Sequence, residues 1–184
     1  MQSPDYQPMK RIMIIGSCGA GKSTLAKKIH DITQLPLIHL DKEYWQPGWV
    51  EPAPELWQQK NKELIQREQW IIDGNYGSSM TERIQRADTI VDLHVPSWKA
   101  LYRVLKRVRR YKGQARPDMA ADCQERINLA FLHYVLMFNL SRKPQNLKRL
   151  QAHAQGKTIY TLKSDREVSQ FLEMLSKRHT SAAL

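Results

Sequence analysis

Short apolar runs recur along the chain, and longer stretches with helix-forming residues fill the intervals between them. Runs of five to seven residues rich in Ile, Val, Leu and Thr are typical of buried β-strands, whereas the intervals carry apolar residues at helical spacing. The five predicted strands are Arg11–Ile15, Leu35–Asp41, Trp70–Gly74, Thr89–Val95 and Thr158–Leu162. The pattern therefore predicts strands that alternate with helices.

Seven helices are predicted between and after these strands. The first follows a glycine-rich turn and ends near Thr33, and the last begins with a capping box formed by Ser164 and Glu167. The others span about 51–68, 78–85, 97–112 and 121–140, with a further helix before residue 156. Residues 1–9 are predicted to form a loose lead-in.

Alternating strands and helices are typical of an α/β fold, here a five-stranded parallel sheet flanked by helices. A length of 184 residues suits a single domain over 1–184. A short break at 113–118 separates two of the predicted helices. Ligands bind such sheets at the carboxyl ends of the strands, so we expect the chemistry there.

The segment GSCGAGKS, Gly16–Ser23, matches the phosphate-loop pattern G-x-x-x-x-G-K-[ST] at every fixed position. It follows a predicted strand and opens a predicted helix, as the pattern requires, so a chance glycine-rich turn is disfavoured. Backbone amides and the helix dipole can bind a phosphate, Lys22 can bridge the β- and γ-phosphates, and Ser23 can ligate Mg²⁺. The predicted ATP-binding residues are Gly16, Ser17, Cys18, Gly19, Ala20, Gly21, Lys22, Ser23 and Thr24.

The composition limits the classes of partner and the cellular compartment that we expect. The formal net charge of +11 indicates acidic partners such as nucleotides, other phosphorylated substrates or nucleic acid, without choosing among them. The two cysteines, Cys18 and Cys123, do not form a disulfide framework, and no Cys/His pair has metal-ligand spacing. Because no apolar run approaches the ~20 residues of a membrane span and the N-terminus lacks a signal-peptide core, we expect a cytoplasmic protein without a membrane partner.

Two aspartates close predicted strands and are expected to face the phosphate loop. Asp73 is predicted to hold Mg²⁺ through water, and a cap of the turn at Gly74 is its alternative. Asp41 is predicted to act as a general base toward an acceptor hydroxyl or to anchor that hydroxyl, and an ordinary turn residue is the alternative.

The helix from Ser97 carries seven Lys and Arg residues up to Lys112 and no acidic residue. Arg103, Arg107 and Arg110 fall on one helical stripe beside the apolar face. A run of this kind is often a solvated face, and that alternative is retained for Lys106, Arg109 and Lys112.

Several segments resemble known proteins. Three segments resemble the adenylate-kinase-like P-loop kinases. They are the phosphate loop, the predicted strand Trp70–Gly74, and His94-Val95-Pro96 with the arginines that follow it. More narrowly, six short segments resemble the bacterial DNA topology modulation protein family. They are residues 39–41, 44–45, 47–49, 73–76, 116–119 and 123–126. The resemblance implies a short helical lid over approximately 108–122. It also implies that Arg103 and Arg107 close over the transferring phosphoryl group, which planar guanidinium groups suit. Arg116 and Arg126, beside the lid, are weaker candidates.

Two positions depart from these families. Adenylate kinases have Phe-Pro-Arg after the Asp-Gly, where this chain has Asn75-Tyr76, so AMP is not the expected acceptor. The fourth strand ends in Leu93-His94 instead of Leu-Asp, so no Mg²⁺ role is assigned there.

These features together predict an ATP- and Mg²⁺-dependent small-molecule kinase that acts on a nucleoside, a nucleotide or a similar polar acceptor. Tyr44, Trp45 and Trp49 could stack on an acceptor ring or could anchor their own loop. His39, His94 and His133 are interpreted as structural. The alternative function is a nucleotide-binding regulatory protein that contacts nucleic acid, although the sequence contains no nucleic-acid-binding motif.

Overall fold

A computed structural model describes residues 9–125 and 128–182. Most of the predicted lead-in and the candidate Arg126 lie outside the described residues. The strands are β1 Arg11–Gly16, β2 Leu37–His39, β3 Trp70–Asp73, β4 Thr89–Leu93 and β5 Thr158–Leu162. The helices are α1 Lys22–Thr33, α2 Leu40–Tyr44, α3 Pro54–Gln66, α4 Met80–Arg86, α5 Ser97–Arg110, α6 Leu129–His153 and α7 Asp165–Ala182.

The five strands form one parallel sheet in the order β2-β3-β1-β4-β5, which confirms the predicted fold class. Side chains alternate between the two faces along the central strand. Met13 and Ile15 pack in one apolar cluster with α3, α4 and α6, whereas Ile12 and Ile14 pack in another with α1 and α7. Burial on both faces is the reason that these strands read as continuous apolar runs.

The second strand is shorter than predicted. β2 ends at His39, and Asp41 lies in the five-residue helix α2 instead of at the end of a strand. Leu40, the first residue of α2, is fully buried. Asp41 and Glu43 lie in the first turn of α2, where acidic side chains are favoured by the positive end of the helix dipole.

The lid is not helical beyond the end of α5, and the helix predicted over 121–140 is wrong at its start. Residues 111–125 form turns and two isolated β-bridges, and α6 begins only at Leu129. α6 then runs to His153 as one helix of 25 residues that includes Pro144, so the two helices predicted on this stretch are one. Among the described residues, no helix is long and apolar enough to cross a bilayer.

α5 lies directly on the phosphate loop. A side chain at Gly19, whose φ is +81°, would place its Cβ 2.4 Å from the Ala100 carbonyl oxygen. Ala100, Val104 and Val108 are buried, and they pack with Val135 of α6. This contact places the following turns of α5, with their arginines, beside the loop.

The loop that follows β3 is held by a buried guanidinium. Arg83 of α4 is fully buried and donates hydrogen bonds to the backbone carbonyls of Gly74, Asn75, Tyr76 and Ser79. Burial lowers the pKa of Arg83 to about 9. Because one guanidinium group binds four backbone carbonyls of this loop, Arg83 fixes the path of residues 74–79.

We expect Arg83→Met to lower the free energy of unfolding by ~2–4 kcal/mol, because it leaves several buried carbonyls without a donor. Arg86→Met is the matched control, since exposed Arg86 also donates to carbonyls, those of Ile65 and Gln66. Urea unfolding should show a loss of at most about 1 kcal/mol for the control. Equal losses in the two variants would contradict the anchoring role of Arg83.

Candidate functional site

The phosphate loop connects β1 to α1. Gly16 ends β1, Ser17–Gly21 form the turn, and Lys22, Ser23 and Thr24 make the first turn of α1. Gly21 precedes the helix with a φ of +100°, in the left-handed region that favours glycine. Lys22 Nζ donates to the Ser17 carbonyl at 3.1 Å, so the ammonium group lies across the mouth of the loop. Amides at a helix N-terminus together with this cation form an anion-binding site.

Asn75 holds the beginning of the phosphate loop. Its Nδ2 donates to the Gly16 carbonyl at 2.8 Å, and its Oδ1 accepts from the Gly16 amide at 3.2 Å. Tyr134 of α6 forms a hydrogen bond with the same amide side chain, and burial raises the pKa of Tyr134 to about 12. Asn75 therefore positions the start of the phosphate loop.

Asp73 lies at the end of β3, opposite Ile14 of β1, and is 4% exposed. Its Oδ1 is 2.7 Å from His39 Nδ1. Burial opposes the charged imidazolium, but the hydrogen bond and the charge of Asp73 hold the pKa of His39 above its usual value. The histidine interpreted as structural thus contacts the predicted metal-binding carboxylate.

Asp41 is held by an aromatic group and faces the lid. The Tyr76 hydroxyl donates to Asp41 Oδ1 at 2.8 Å, and Arg116 Nη2 is 3.8 Å from Asp41 Oδ2. Burial, followed by the charge of Asp41, raises the pKa of Tyr76, which therefore stays a neutral donor. Tyr76 packs on Tyr44 and Trp57 at ring distances of 4.6 and 5.2 Å. The carboxylate is 44% exposed, so it is oriented yet open to a ligand.

Arg103 lies on α5 and outside the lid. Its Nη1 donates to the Ala20 carbonyl of the phosphate loop at 3.2 Å, and its Nη2 is 2.8 Å from Asp165 at the start of α7. Lys99 reaches the same carboxylate at 2.8 Å. Lys99 and Asp165 line a recess between Ala20 and the ends of β4 and β5.

Arg107 and Arg116 share one buried carboxylate. Glu125 Oε1 is 3.0 Å from Arg107 Nε and 2.6 Å from Arg116 Nε, and Glu125 is 7% exposed. Burial, followed by the positive charge of Arg116, lowers the pKa of Arg107. Arg107 is thus on a packed helix and Arg116 on the lid, and Glu125 joins them.

The lid also reaches the phosphate loop through Asp118. This carboxylate forms a hydrogen bond with the Ser23 side chain and is 3.1 Å from Arg116 Nη1. Burial works to raise the pKa of Asp118, but Arg116 and Ser23 outweigh it and hold the pKa below its usual value. The structure therefore places three carboxylates, those of Asp41, Asp73 and Asp118, near one end of the sheet.

The aromatic loop packs against the lid. Trp45 and Trp49 contact a small buried cluster formed by Met119, Ala120 and Cys123. Trp49 Nε1 donates to the Gln124 carbonyl at 3.0 Å, and Cys123 Sγ donates to the Gln46 carbonyl at 3.4 Å. These contacts favour the interpretation of the two tryptophans as anchors of their own loop.

Sequence reasoning missed several residues that the structure adds to the site. Glu125, Asp118, Asn75 and Tyr134 act through contacts with residues far away in the chain, and spacing gives no signal for them. The segments 73–76, 116–119 and 123–126 did carry the resemblance, and each contributes at least one of these side chains.

The oxygen donors at the site fit Mg²⁺. The Ser23 hydroxyl and the Asp73 carboxylate are hard ligands, and Mg²⁺ is usually bound by one or two protein oxygens together with substrate phosphates. Among the described residues, no group of three or more His, Cys, Asp and Glu side chains has metal-site geometry. The residues present therefore suit an ion that arrives with a nucleotide.

No family model and no curated protein matches the chain. Solved structures do match. The chain is similar to the shikimate kinase from Acinetobacter baumannii in complex with shikimate, at 17% identity, 96% coverage of both chains and a TM-score of 0.58. It is also similar to a kinase candidate from Chloroflexus aurantiacus, at 16% identity, 94% coverage of this chain, 99% of the other and a TM-score of 0.53. These likenesses show that the chain has the P-loop kinase fold.

Glu125→Gln should loosen the lid, because a neutral amide cannot balance two guanidinium groups. We expect amide hydrogen exchange over residues 111–125 to become ~10-fold faster or more. Glu82→Gln is the control, since the Glu82 carboxylate accepts from a neutral partner, Asn61, at 3.0 Å. Unchanged exchange in the lid of the Glu125 variant would show that the shared carboxylate does not hold it.

Proposed function

We propose that this protein is an ATP-dependent kinase that transfers the γ-phosphoryl group to a polar small molecule such as a nucleoside or a nucleotide. The observation that carries the proposal is the convergence of a complete phosphate loop with guanidinium groups of α5 and the lid. The P-loop kinase fold supports it. Such a reaction depends on positioning and charge stabilisation more than on covalent chemistry by the protein.

In this proposal the nucleotide phosphates lie in the loop Gly16–Thr24, held by its amides and by Lys22. Ser23 and Asp73 would hold Mg²⁺, Ser23 directly and Asp73 through water. The ion would neutralise charge on the β- and γ-phosphates. His39 would fix the orientation of the Asp73 carboxylate through their 2.7 Å contact.

The two arginines of α5 have separate parts in the proposal. Arg103 bonds to the Ala20 carbonyl, so it stays beside the loop throughout the reaction. Arg107 is free to exchange its Glu125 partner for phosphate oxygens, which it binds in a planar, paired geometry. Both would stabilise negative charge on the transferring group.

Asp41 is the proposed contact for the acceptor hydroxyl, as a general base or as an anchor. Its hydrogen bond from Tyr76 leaves the second oxygen toward the lid, where Arg116 is 3.8 Å away. A positioned base contributes about 10²–10⁴-fold to a rate.

We also propose that the protein belongs to the DNA topology modulation family and is cytoplasmic. We further propose that it has one domain over 1–184, with a lid near 108–122. A nucleic-acid-binding regulatory role is the second candidate, and only the basic residues of α5 favour it.

The acceptor is identified by incubating the protein with Mg-ATP and matched candidates: polyols, sugars, sugar acids, nucleosides and nucleoside monophosphates. At least one should raise ADP release above the rate without an acceptor. If calorimetry shows tight ATP binding while no candidate raises ADP release, the kinase proposal fails.

Lys22→Ala and Arg107→Ala should separate binding from chemistry. The Lys22 variant should lose ATP affinity and turnover together, because that ammonium contacts phosphate throughout the reaction. The Arg107 variant should keep ATP affinity within a few-fold and lose ~10²-fold or more in turnover, about 2.7 kcal/mol of transition-state stabilisation. Calorimetric affinities beside steady-state rates make the comparison. An Arg107 variant that loses ATP binding but keeps its turnover at saturation would make this arginine a ground-state contact.

A further inference from the structure

Exposed apolar side chains are concentrated on two helices. Of the eleven large hydrophobic side chains that are exposed among the described residues, eight lie on α5 and α6. They are Trp98, Tyr102, Leu105, Leu129, Leu136, Met137, Leu140 and Leu147. Three of them, Leu129, Leu140 and Trp98, are 81%, 73% and 69% exposed. Single exposed apolar residues are ordinary, whereas a concentration of this kind marks an interaction surface.

Six of these eight side chains lie on turns of α5 and α6 that flank the contact between the two helices. α5 and α6 are antiparallel neighbours, because Ser97 at the start of α5 accepts a hydrogen bond from Asn139, and Val108 near its end packs in one cluster with Phe131. Leu101 of α5 and Leu132 of α6 are partly buried and pack against the apolar cluster that joins the two helices. Residues three or four positions away on each helix turn progressively toward solvent. We call the resulting surface the outer face; its apolar members are Trp98, Tyr102, Leu105, Leu129, Leu136 and Leu140.

The charge of the two helices has one sign. The 14 residues of α5 and the 25 residues of α6 include ten Lys and Arg and no Asp or Glu. On the side toward the site, Lys99, Arg103 and Arg107 are paired with acids of other elements. Lys106, Arg109 and Arg110 are exposed and form no ion pair with another described residue.

We propose that the outer face docks this protein on the surface of an anionic lipid bilayer. The leucines and Trp98 would enter the boundary between headgroups and acyl chains, and the lysine and arginines of α5 would contact lipid phosphates. Trp98 and Tyr102 have the amphipathic rings that are enriched at this depth. The expected absence of a membrane partner was drawn from the absence of a membrane span, and surface docking requires none.

Other binding partners would match only some of the side chains of the outer face. Nucleic acid would pair with the basic residues and stack on Trp98 and Tyr102, but it gives Leu129, Leu136 and Leu140 no apolar partner. A second copy of the chain would bring two acid-free basic helix pairs together, so like charges would oppose each other. An anionic bilayer provides phosphates for the basic side chains and an apolar interior for the leucines.

The test is binding of the full chain to vesicles of phosphatidylcholine with and without phosphatidylglycerol, measured by co-sedimentation at low and high salt. We expect binding to the anionic vesicles that weakens with salt. Replacing Lys106, Arg109 and Arg110 together by Gln should lower the partition coefficient by about five-fold per charge at low salt. The matched control replaces the exposed Lys27, Lys28 and Lys177 of α1 and α7 by Gln and should bind like the wild type.

The apolar part is tested separately. Leu140→Glu should weaken binding ~10-fold or more, whereas Leu56→Glu, at a site 59% exposed on α3, should not. Tryptophan fluorescence should shift to the blue with anionic vesicles, and Trp98→Phe should abolish that shift. Circular dichroism verifies that each variant is folded.

Three results would overturn the proposal. One is the absence of vesicle binding by the wild type. Another is binding to single- or double-stranded DNA oligonucleotides, without vesicle binding, that the triple Gln variant loses and Leu140→Glu keeps. The third is a dimer, seen by light scattering, that Leu140→Glu dissociates while vesicle binding stays unchanged.

Discussion

Contact between the backbone of the phosphate loop and the backbone of α5 is the constraint on which the site depends. With no side chain at Gly19, the loop approaches the Ala100 carbonyl so closely that even a methyl group would be 2.4 Å away. Arg103 and Arg107 follow one and two turns later on the same helix, so this one contact determines how far their guanidinium groups lie from a bound phosphate. On the other side, Asn75 holds Gly16 by two hydrogen bonds. The loop is thus fixed from both neighbours before any nucleotide binds, which lowers the cost of organising the site.

The second organising feature is a set of carboxylates that pair with closely spaced arginines. Glu125 lies between Arg107 and Arg116, Asp118 binds Arg116 again, and Asp165 of α7 holds Arg103. Arg107 and Arg116 would repel each other in a buried site, and the carboxylates of Glu125 and Asp118 offset that repulsion. Lys106, Arg109 and Arg110 of α5 have no such partners among the described residues. The positive charge of this helix is therefore paired with acids beside the site and unpaired at these exposed positions.

Much of the fold was predictable, because apolar runs and a complete phosphate-loop motif are local signals. The strands, the sheet type and the placement of Lys22 and Ser23 followed from them. The lid and α6 were predicted with wrong boundaries, since ion pairs of Glu125 with residues of other segments compete with helix formation before Leu129. Helical spacing continues on both sides of Pro144, but a proline inside a helix is normally taken as its end. Asp41 was assigned to a strand end for a related reason, because nothing local distinguishes the last residues of a strand from a short helix.

The bonds between the aromatic loop and the lid have a consequence for the order of events. Trp49 and Cys123 each donate to a carbonyl of the other segment, and the two segments share one small apolar cluster. In the proposed reaction the acceptor would lie at Asp41, beside these two segments, so opening of their contact would widen its entry and closing would slow its release. On that proposal, the hydrogen bond between Trp49 and the Gln124 carbonyl would contribute to the residence time of the acceptor.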